Sequence, residues 1–233
     1  MRYKNLVLLV VVTFLSNMTY AKTIQYWASA TDLKSNRLVY REKHIEQYKN
    51  NRPTLFEVEY YSPTGYKFAT KSVKFSNTDY DPDIYLNYPR MGYIEYTKRL
   101  RGNTYRLGNK SMNAKNISAK DIRVSGIPVV DNGFDLFIKD NINKLRQRQT
   151  LHIAYIAPAK LDYFRFRLQP IQITQKTIKV KIEPDAAVAR WLTKPIIVVY
   201  DLQKNRMISY TGVTNIPKSH NENHNVRLSV EYD

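Results

Sequence analysis

The sequence contains no cysteine. This excludes disulfide scaffolds, thiolate zinc sites, iron–sulfur clusters, cysteine nucleophiles and lipid attachment at an N-terminal cysteine. Glycine (7 residues) and proline (10 residues) are too few for collagen-like or linker-rich material. Hydrophobic residues make up 43% of the chain and charged residues 24%, which is typical of a folded globular protein rather than a disordered one.

Only one long apolar run is present, and it lies at the N-terminus. Arg2 and Lys4 precede the uncharged run Leu6–Leu15, and the small residues Thr19 and Ala21 follow it. This order is typical of a secretory signal peptide, and the run is about half the ~20 residues that a membrane-spanning helix needs. We therefore predict a signal peptide at 1–21, a single β-rich domain at 22–233, and export to the periplasm or beyond. We expect no membrane span in the mature chain.

Acidic residues are scarce, with 20 against 37 lysines and arginines and a formal net charge of +17. Such a balance predicts attraction to anionic partners, for example lipid head groups, lipopolysaccharide or acidic glycans. Export argues against nucleic acid as the natural partner. No acid lies between Glu95 and Asp121. Four of the basic residues in this stretch are named here the basic hairpin: Lys98, Arg99, Arg101 and Arg106. It is either an anion-binding patch at the mouth of a cavity or a solvated hairpin.

Most of the chain alternates with period two, which predicts strands. The predicted strands are 37–50, 55–61, 66–75, 92–100, 104–107, 151–157, 163–168, 171–174, 177–183, 195–200, 207–213 and 226–232. We interpret 195–200 as a strand buried on both faces, and 77–89 and 217–225 as loops. Short turns between neighbouring strands favour antiparallel pairing.

Two segments have helical periodicity instead. Phe134, Phe137, Ile138, Ile142 and Leu145 fall on one face of a predicted helix over 132–147, and we expect that face to pack on the sheet. Asp131 or Asn132 could cap its start. A shorter helix is predicted over 185–192. The fold class is therefore mainly β: an antiparallel β-barrel or half-barrel with one or two short helices.

Sequence signatures of catalysis are sparse. The chain has no G-x-S-x-G elbow, phosphate-binding glycine loop, H-E-x-x-H motif or dinucleotide fingerprint. The carboxylates of 79–83 are spaced as in a calcium loop, but Ile84 and Arg90 occupy the positions that require glycine and glutamate, so a solvated turn is favoured. The segment 220–224 offers two histidines and a glutamate, and a flexible polar loop is favoured over a metal site there. We expect no metal and no cofactor.

One predicted strand carries an ionisable row. Alternation places Tyr40, Glu42, His44 and Glu46 on the same face. If this face points outward, the row is simply hydrated, which is the interpretation the sequence favours. If it points into a barrel, it brings ionisable groups into the cavity.

Several short stretches together resemble an uncharacterised family of exported bacterial β-rich proteins, which is distantly similar to periplasmic β-barrel domains of unknown function. They occur in the order Tyr40-Arg-Glu42-Lys-His44, Gly133-Phe-Asp135-Leu-Phe137, Pro158-Ala-Lys-Leu-Asp162-Tyr-Phe-Arg165, Tyr200-Asp201 and Tyr210-Thr-Gly-Val-Thr-Asn215. The resemblance implies a lipocalin-like or lipoprotein-carrier-like fold with a lipid-sized cavity. Five residues on matching positions are shared for function or for folding: Glu42, His44, Asp135, Asp162 and Arg165.

These observations favour a non-enzymatic exported binding protein that holds a lipid-like or amphipathic ligand. The candidate binding residues are Tyr40, Glu42, His44, Asp135, Asp162, Arg165, Lys98, Arg99, Arg101 and Arg106. One alternative is an envelope-acting hydrolase that uses Glu42 and His44 as general acid and base. Another is an interaction module that works through its basic surface.

Overall fold

The computed structural model describes residues 20–76, 80–192, 194–219 and 222–232. The predicted signal peptide lies outside the described residues except for its last two positions. The strands are β1 Ala21–Asp32, β2 Leu38–Lys49, β3 Arg52–Tyr61, β4 Lys67–Lys74, β5 Asp83–Tyr88, β6 Tyr93–Arg101, β7 Thr104–Lys110, β8 Ser118–Arg123, β9 Pro128–Val129, β10 Leu151–Ala157, β11 Asp162–Ile173, β12 Thr177–Pro184, β13 Ile196–Asp201, β14 Arg206–Ser219 and β15 Glu222–Tyr232. The helices are α1 Gly133–Asp140, α2 Ile142–Arg146 and α3 Ala187–Leu192.

The strands form a single fifteen-stranded sheet. Its order is β8-β7-β6-β5-β4-β3-β2-β1-β15-β14-β13-β12-β11-β10-β9, and every pairing is antiparallel except that of β9 with β10. The sheet thus has two arms, β1–β8 and β9–β15, which are joined where β1 pairs with β15 from Tyr26–Tyr232 to Asp32–Val226. Within the described residues β8 and β9 are its two edges, so the sheet does not close. The fold is mainly β and is a half-barrel, as the sequence predicted.

Alternation along the strands decides which side chains enter the core. In β3, Phe56, Val58 and Tyr60 are buried, whereas Glu57 between them is exposed. In β12 the buried residues Ile178 and Val180 alternate with lysines in the same way. The apolar inner face of the sheet therefore supplies most of the core, in keeping with the transfer of apolar area out of water.

The predicted long helix exists as two short helices, α1 and α2, which meet at Asn141. Asn141 leaves helical geometry (φ −104°, ψ 13°), and its side-chain amide donates to the carbonyl of Phe137 at 2.9 Å. The predicted sheet-facing side is confirmed: Phe137, Ile138 and Leu145 are buried, and Phe134 and Ile142 pack partly buried against the same core cluster. The capping prediction was wrong, because the side chain of Asn132 makes no cap hydrogen bond.

The strand assignments from the sequence need correction at several places: β1, β8 and β9 were not predicted, and β11 runs unbroken through the two predicted strands 163–168 and 171–174. Strand β5 lies inside the predicted loop 77–89, where Ile84 and Leu86 alternate inward despite the Asp and Pro residues nearby. Much of the predicted loop 217–225 belongs to β14 and β15, which stay paired through irregular register at Pro217 and Ser219. Strand β13 is not buried on both faces: Val198 and Tyr200 are buried, and their neighbours are only partly so. The helices of the described segments are too short or too polar to cross a membrane.

Candidate functional site

A cavity of about 360 Å³ lies on the inner face of the half-barrel. This volume is near the lower end of the ~300–1,000 Å³ that small-molecule sites occupy. The N-terminal arm and the start of α1 supply polar lining residues: Glu42, His44, Tyr60, Lys71, Glu95, Asp131, Asn132 and Asp135. The C-terminal arm supplies a largely apolar wall that includes Ile153, Phe166, Ile182, Ile196, Val198, Met207, Val213 and Leu228. The charged lining residues, named here the polar side, thus come from the N-terminal arm and residues 131–135. The lining of the C-terminal arm is uncharged and mostly apolar, with Tyr155, Tyr200 and Asn215 among its polar members.

The ionisable row of β2 points inward. Glu42 and His44 are each 8% exposed, Glu46 is 6% exposed and Tyr40 is 1% exposed. The outward interpretation favoured by the sequence was therefore wrong. The reason is tertiary, because β2 lies near the middle of the curled sheet, between β1 and β3, where its inner face is covered.

Glu42 and His44 form a contact pair that lines the cavity. Nε2 of His44 lies 2.8 Å from Oε2 of Glu42, and the imidazole stacks on the ring of Tyr26 with centroids 4.5 Å apart and planes 8° from parallel. The stack fixes the ring plane, and the carboxylate fixes the direction of Nε2. The arrangement holds one imidazole in one orientation at the cavity surface.

Glu46, the third ionisable member of the row, is satisfied by tyrosines instead. Tyr26 donates its hydroxyl to Oε1 of Glu46 and Tyr48 donates to Oε2, each at 2.7 Å. Burial and the neighbouring Glu46 carboxylate raise the pKa of Tyr26. Glu46 does not line the cavity. Its role in the fold is to fix Tyr48 and to fix Tyr26, which stacks on His44.

A second charged pair also belongs to the polar side. Nζ of Lys71, on β4, lies 2.5 Å from Oδ1 of Asp131, and Nδ2 of Asn215, on β14, donates to Oδ2 at 3.1 Å. Asp131 adopts the left-handed region with φ +43°, a conformation in which aspartate is one of the better tolerated non-glycine residues. Its carboxylate thereby joins β4, β14 and the segment before α1.

Glu95, on β6, is the third ionisable group of the polar side. It is 3% exposed and accepts a hydrogen bond from the hydroxyl of Tyr93. Burial raises the pKa of Glu95 from 4.5 to about 7, with the Asp131 carboxylate adding to the rise and the Tyr93 hydroxyl and Lys71 opposing it. A carboxyl group with such a pKa can hold or release a proton near neutral pH.

Asp135 completes the polar side from α1. Its Oδ1 accepts the hydroxyl of Tyr200 at 2.8 Å, and its Oδ2 lies 2.6 Å from Nζ of Lys139. Burial disfavours the charged lysine, but the Asp135 carboxylate outweighs it and raises the pKa of Lys139. Asp135 is thus a paired carboxylate that anchors α1 to β13.

The other residues singled out by the family resemblance lie elsewhere. Asp162 is exposed and accepts the backbone N–H of Tyr163 at 2.9 Å, and Arg165 is also exposed. Tyr40 is buried edge-on against Tyr60, with centroids 6.0 Å apart. None of these three lines the cavity. The structure therefore brings together Glu42, His44 and Asp135 and separates them from Asp162 and Arg165.

The basic hairpin also lies apart from the cavity lining. Arg106 makes a two-pronged contact with Asp121 at 2.7 and 2.9 Å, and Arg99 lies 3.2 Å from Asp81. Lys98 and Arg101 are exposed. Two of the four basic residues thus already have carboxylate partners, and the hairpin does not form a mouth that lines this cavity.

The acidic segment 79–83 is more ordered than a solvated turn. Asp81 is 4% exposed and accepts the hydroxyl of Tyr105 at 2.5 Å, and Asp83 accepts the backbone N–H of Arg99 at 2.8 Å. Burial raises the pKa of Asp81. The solvated interpretation was therefore wrong for Asp81, while Asp79 lies outside the described residues.

No group of three or more histidine, aspartate or glutamate side chains is placed to hold a metal ion within the described parts of the chain. His220, half of the histidine pair noted in the sequence, falls outside those parts. No protein-family model, curated protein or solved structure matches the chain. The functional argument therefore rests on the geometry of the cavity.

Several polar lining residues were missed at the level of sequence, including Lys71, Glu95, Asp131, Asn132 and Asn215. A signal did exist for two of them. Lys71 shares its strand face with Ala69 and Val73, and Glu95 shares its face with Tyr93 and Thr97, all buried. A charged side chain on an otherwise buried face is a marker of a functional or structural site.

Proposed function

We propose that this chain is a non-enzymatic binding protein whose half-barrel cavity holds a small amphipathic ligand. The observation that carries the proposal is the two-sided lining, charged on the N-terminal arm and at residues 131–135, and uncharged and mostly apolar on the C-terminal arm. A ligand with an apolar body and one polar group would satisfy both sides at once, because its body would bury area against the apolar wall while its polar group formed hydrogen bonds opposite.

The apolar wall supports this function because several of its side chains are only partly buried by the rest of the protein. Phe166, Ile196 and Met207 line the cavity and are packed against the core only in part. A methionine in such a wall adapts to ligands of different shape because its side chain is unbranched and flexible. The available volume favours a single-chain or small aromatic molecule over a two-chain phospholipid.

We also propose that the mature protein acts after export, with the periplasm as its compartment. The N-terminal pattern of charge, apolar run and small residues supports this proposal. An exported carrier of small amphipathic molecules is consistent with a chain that has no cysteine and a strongly basic composition.

The binding proposal can be tested with N-phenyl-1-naphthylamine, a neutral probe whose fluorescence rises in apolar surroundings. We expect saturable binding at one site. Ala157→Trp should abolish it, because Ala157 lines the cavity and an indole there would fill the space. The matched control Ala119→Trp, on the exposed edge strand β8, should bind as the wild type does.

Thermal unfolding of each variant shows whether the fold survives. If Ala157→Trp does not fold, Val213→Gln replaces it, because Val213 lines the cavity but is 47% exposed and so tolerates a polar side chain. We expect Val213→Gln to weaken binding. Failure of the wild-type protein to bind the probe, or undiminished binding by a folded cavity variant, would overturn the proposal.

The Glu42–His44 pair favours hydrolysis as a second candidate function. An imidazole oriented by a carboxylate at 2.8 Å, with Glu95 on the same polar side, can serve as a general acid or base. A panel of ester and glycoside substrates tests this candidate with the wild type and His44→Asn. Turnover that His44→Asn removes would favour the enzyme, and equal rates for both proteins would reject it.

A further inference from the structure

The cavity and the whole molecule carry opposite charge. The chain has a formal net charge of +17, yet the cavity lining includes four carboxylates against one lysine and one histidine. The carboxylates are Glu42, Glu95, Asp131 and Asp135. A positive exterior attracts anions from solution, whereas the polar side of the cavity repels them.

Two of the four carboxylates are neutralised by a cation of the protein. Asp131 is paired with Lys71 at 2.5 Å, and Asp135 is paired with Lys139 at 2.6 Å. These pairs add no net charge to the cavity. They fix the geometry of its polar side. The lysine among the described lining residues is already paired, so it does not offer a charge to an anionic ligand.

Glu42 and Glu95 are left as the source of negative charge. Among the described residues, Glu42 has the His44 imidazole 2.8 Å away and no lysine or arginine as an ion-pair partner. Glu95 accepts a tyrosine hydroxyl, and Lys71, the cation that acts on it, is already paired with Asp131. Both side chains line the cavity from strands of the same arm.

Tyrosine rings from both arms also border the cavity. Tyr60, Tyr155 and Tyr200 all line the same cavity. The faces of aromatic rings attract ammonium groups, and the attraction is stronger away from bulk water. Carboxylates without their own cation, together with tyrosine rings, are the chemistry that recognises an organic cation.

We propose that the ligand is an amphipathic amine, whose ammonium group binds beside Glu42 and Glu95 and whose apolar body lies on the wall formed by the C-terminal arm. This inference rests on the proposed binding function and specifies its ligand class. It departs from the sequence-based expectation of an anionic envelope component, because the basic residues that supported that expectation lie outside the cavity lining.

Three probes of equal chain length test the inference: octylamine, octanol and octanoate, each measured by displacement of N-phenyl-1-naphthylamine at pH 7.5. We expect octylamine to bind at least about tenfold more tightly than octanoate, with octanol between them. Glu42→Gln and Glu95→Gln should each reduce this preference at least severalfold while leaving octanol affinity unchanged. The matched control Glu57→Gln, exposed on the other face of β3, should leave the preference intact.

The outcomes separate the two proposals. Binding of octanol without any preference for octylamine, or a preference for octanoate, would overturn the amine assignment and keep the binding function. Failure of all three probes to displace bound N-phenyl-1-naphthylamine would overturn the amine assignment alone, and failure of N-phenyl-1-naphthylamine itself to bind would overturn both proposals. If one glutamine variant does not fold, the other decides, because each glutamate comes from a different strand. An amine preference that survives both substitutions in folded protein would also overturn the assignment.

Discussion

Nζ of Lys71 and Oδ1 of Asp131 lie 2.5 Å apart across sixty residues of sequence, and their side chains are 8% and 11% exposed. Lys71 belongs to the N-terminal arm of the sheet, and Asp131 belongs to the segment that leads into α1. Asn215 of β14 bonds the same carboxylate. This contact therefore links the two arms on the polar side of the cavity. We expect its loss to lower stability more than it lowers binding affinity.

Replacing Lys71 with Met should lower the free energy of unfolding by roughly 3–5 kcal/mol, because it leaves the Asp131 carboxylate buried without its cation. Urea unfolding of wild type and variant measures the change. The control is Lys67→Met on the same strand, which removes the exposed pair of Lys67 with Glu59 and should change stability little. The double variant Lys71→Met/Asp131→Asn should recover part of the loss. An unchanged stability in Lys71→Met would contradict the structural role given to this pair.

Phe137→Ala should cost about 3–5 kcal/mol, since the ring is 3% exposed and packs edge-on against Tyr80 with centroids 5.3 Å apart. Chemical denaturation is again the measurement. Phe164→Ala, in which the removed ring is 45% exposed, is the matched control and should cost much less. Equal losses at the two positions would show that α1 does not pack on the sheet as described.

Stability should fall as pH rises from about 4.5 to about 7 through Glu95. Its folded-state pKa of about 7 exceeds the ordinary 4.5, so in this window the folded state binds more protons than the unfolded state does. The full contribution is on the order of 3 kcal/mol, present below pH 4.5 and lost above pH 7. Comparing unfolding curves of wild type and Glu95→Gln at pH 5 and pH 8 isolates it. The difference between the two proteins should shift with pH, and a constant difference would argue against a raised pKa.

Neutralising the exposed part of the basic hairpin should not affect the cavity. We expect Lys98→Gln/Arg101→Gln to bind N-phenyl-1-naphthylamine within about twofold of the wild type, because neither residue lines the cavity. Adsorption to vesicles with anionic lipid should weaken, and its salt dependence should become less steep. Lys160→Gln/Lys176→Gln removes the same charge elsewhere and serves as the comparison. A large loss of probe affinity in the hairpin variant alone would restore the hairpin as part of the binding site.

Export predicts a new N-terminus. Protein isolated from its native host should begin near Lys22, because Thr19 and Ala21 are the small residues that a signal peptidase recognises. N-terminal sequencing of envelope and cytoplasmic fractions checks this directly. Recovery of intact Met1 in mature, fractionated protein would reject the signal peptide.

The sequence by itself determined the class of fold. Period-two alternation identified most strands, because apolar and polar residues occupy alternate positions in a sheet that has one covered face. Phe56, Val58 and Tyr60 are the apolar positions of such a pattern in β3. The apolar face of α1 and α2 was equally predictable, because helical periodicity depends only on residues that are close together in the sequence. Strand β5 was missed because Ile84 and Leu86 are its only buried residues, and Asp and Pro residues precede them.

Only the tertiary structure decided which face of each strand meets the cavity and which charges meet one another. Strand alternation places Glu42 and His44 on one face, but whether that face meets water or the interior depends on how the rest of the described sheet covers β2. The pairing of Lys71 with Asp131 spans sixty residues, and local pattern carries no information about a contact at that separation. The raised pKa of Glu95 has the same origin, because burial is a property of the assembled sheet and not of the residue.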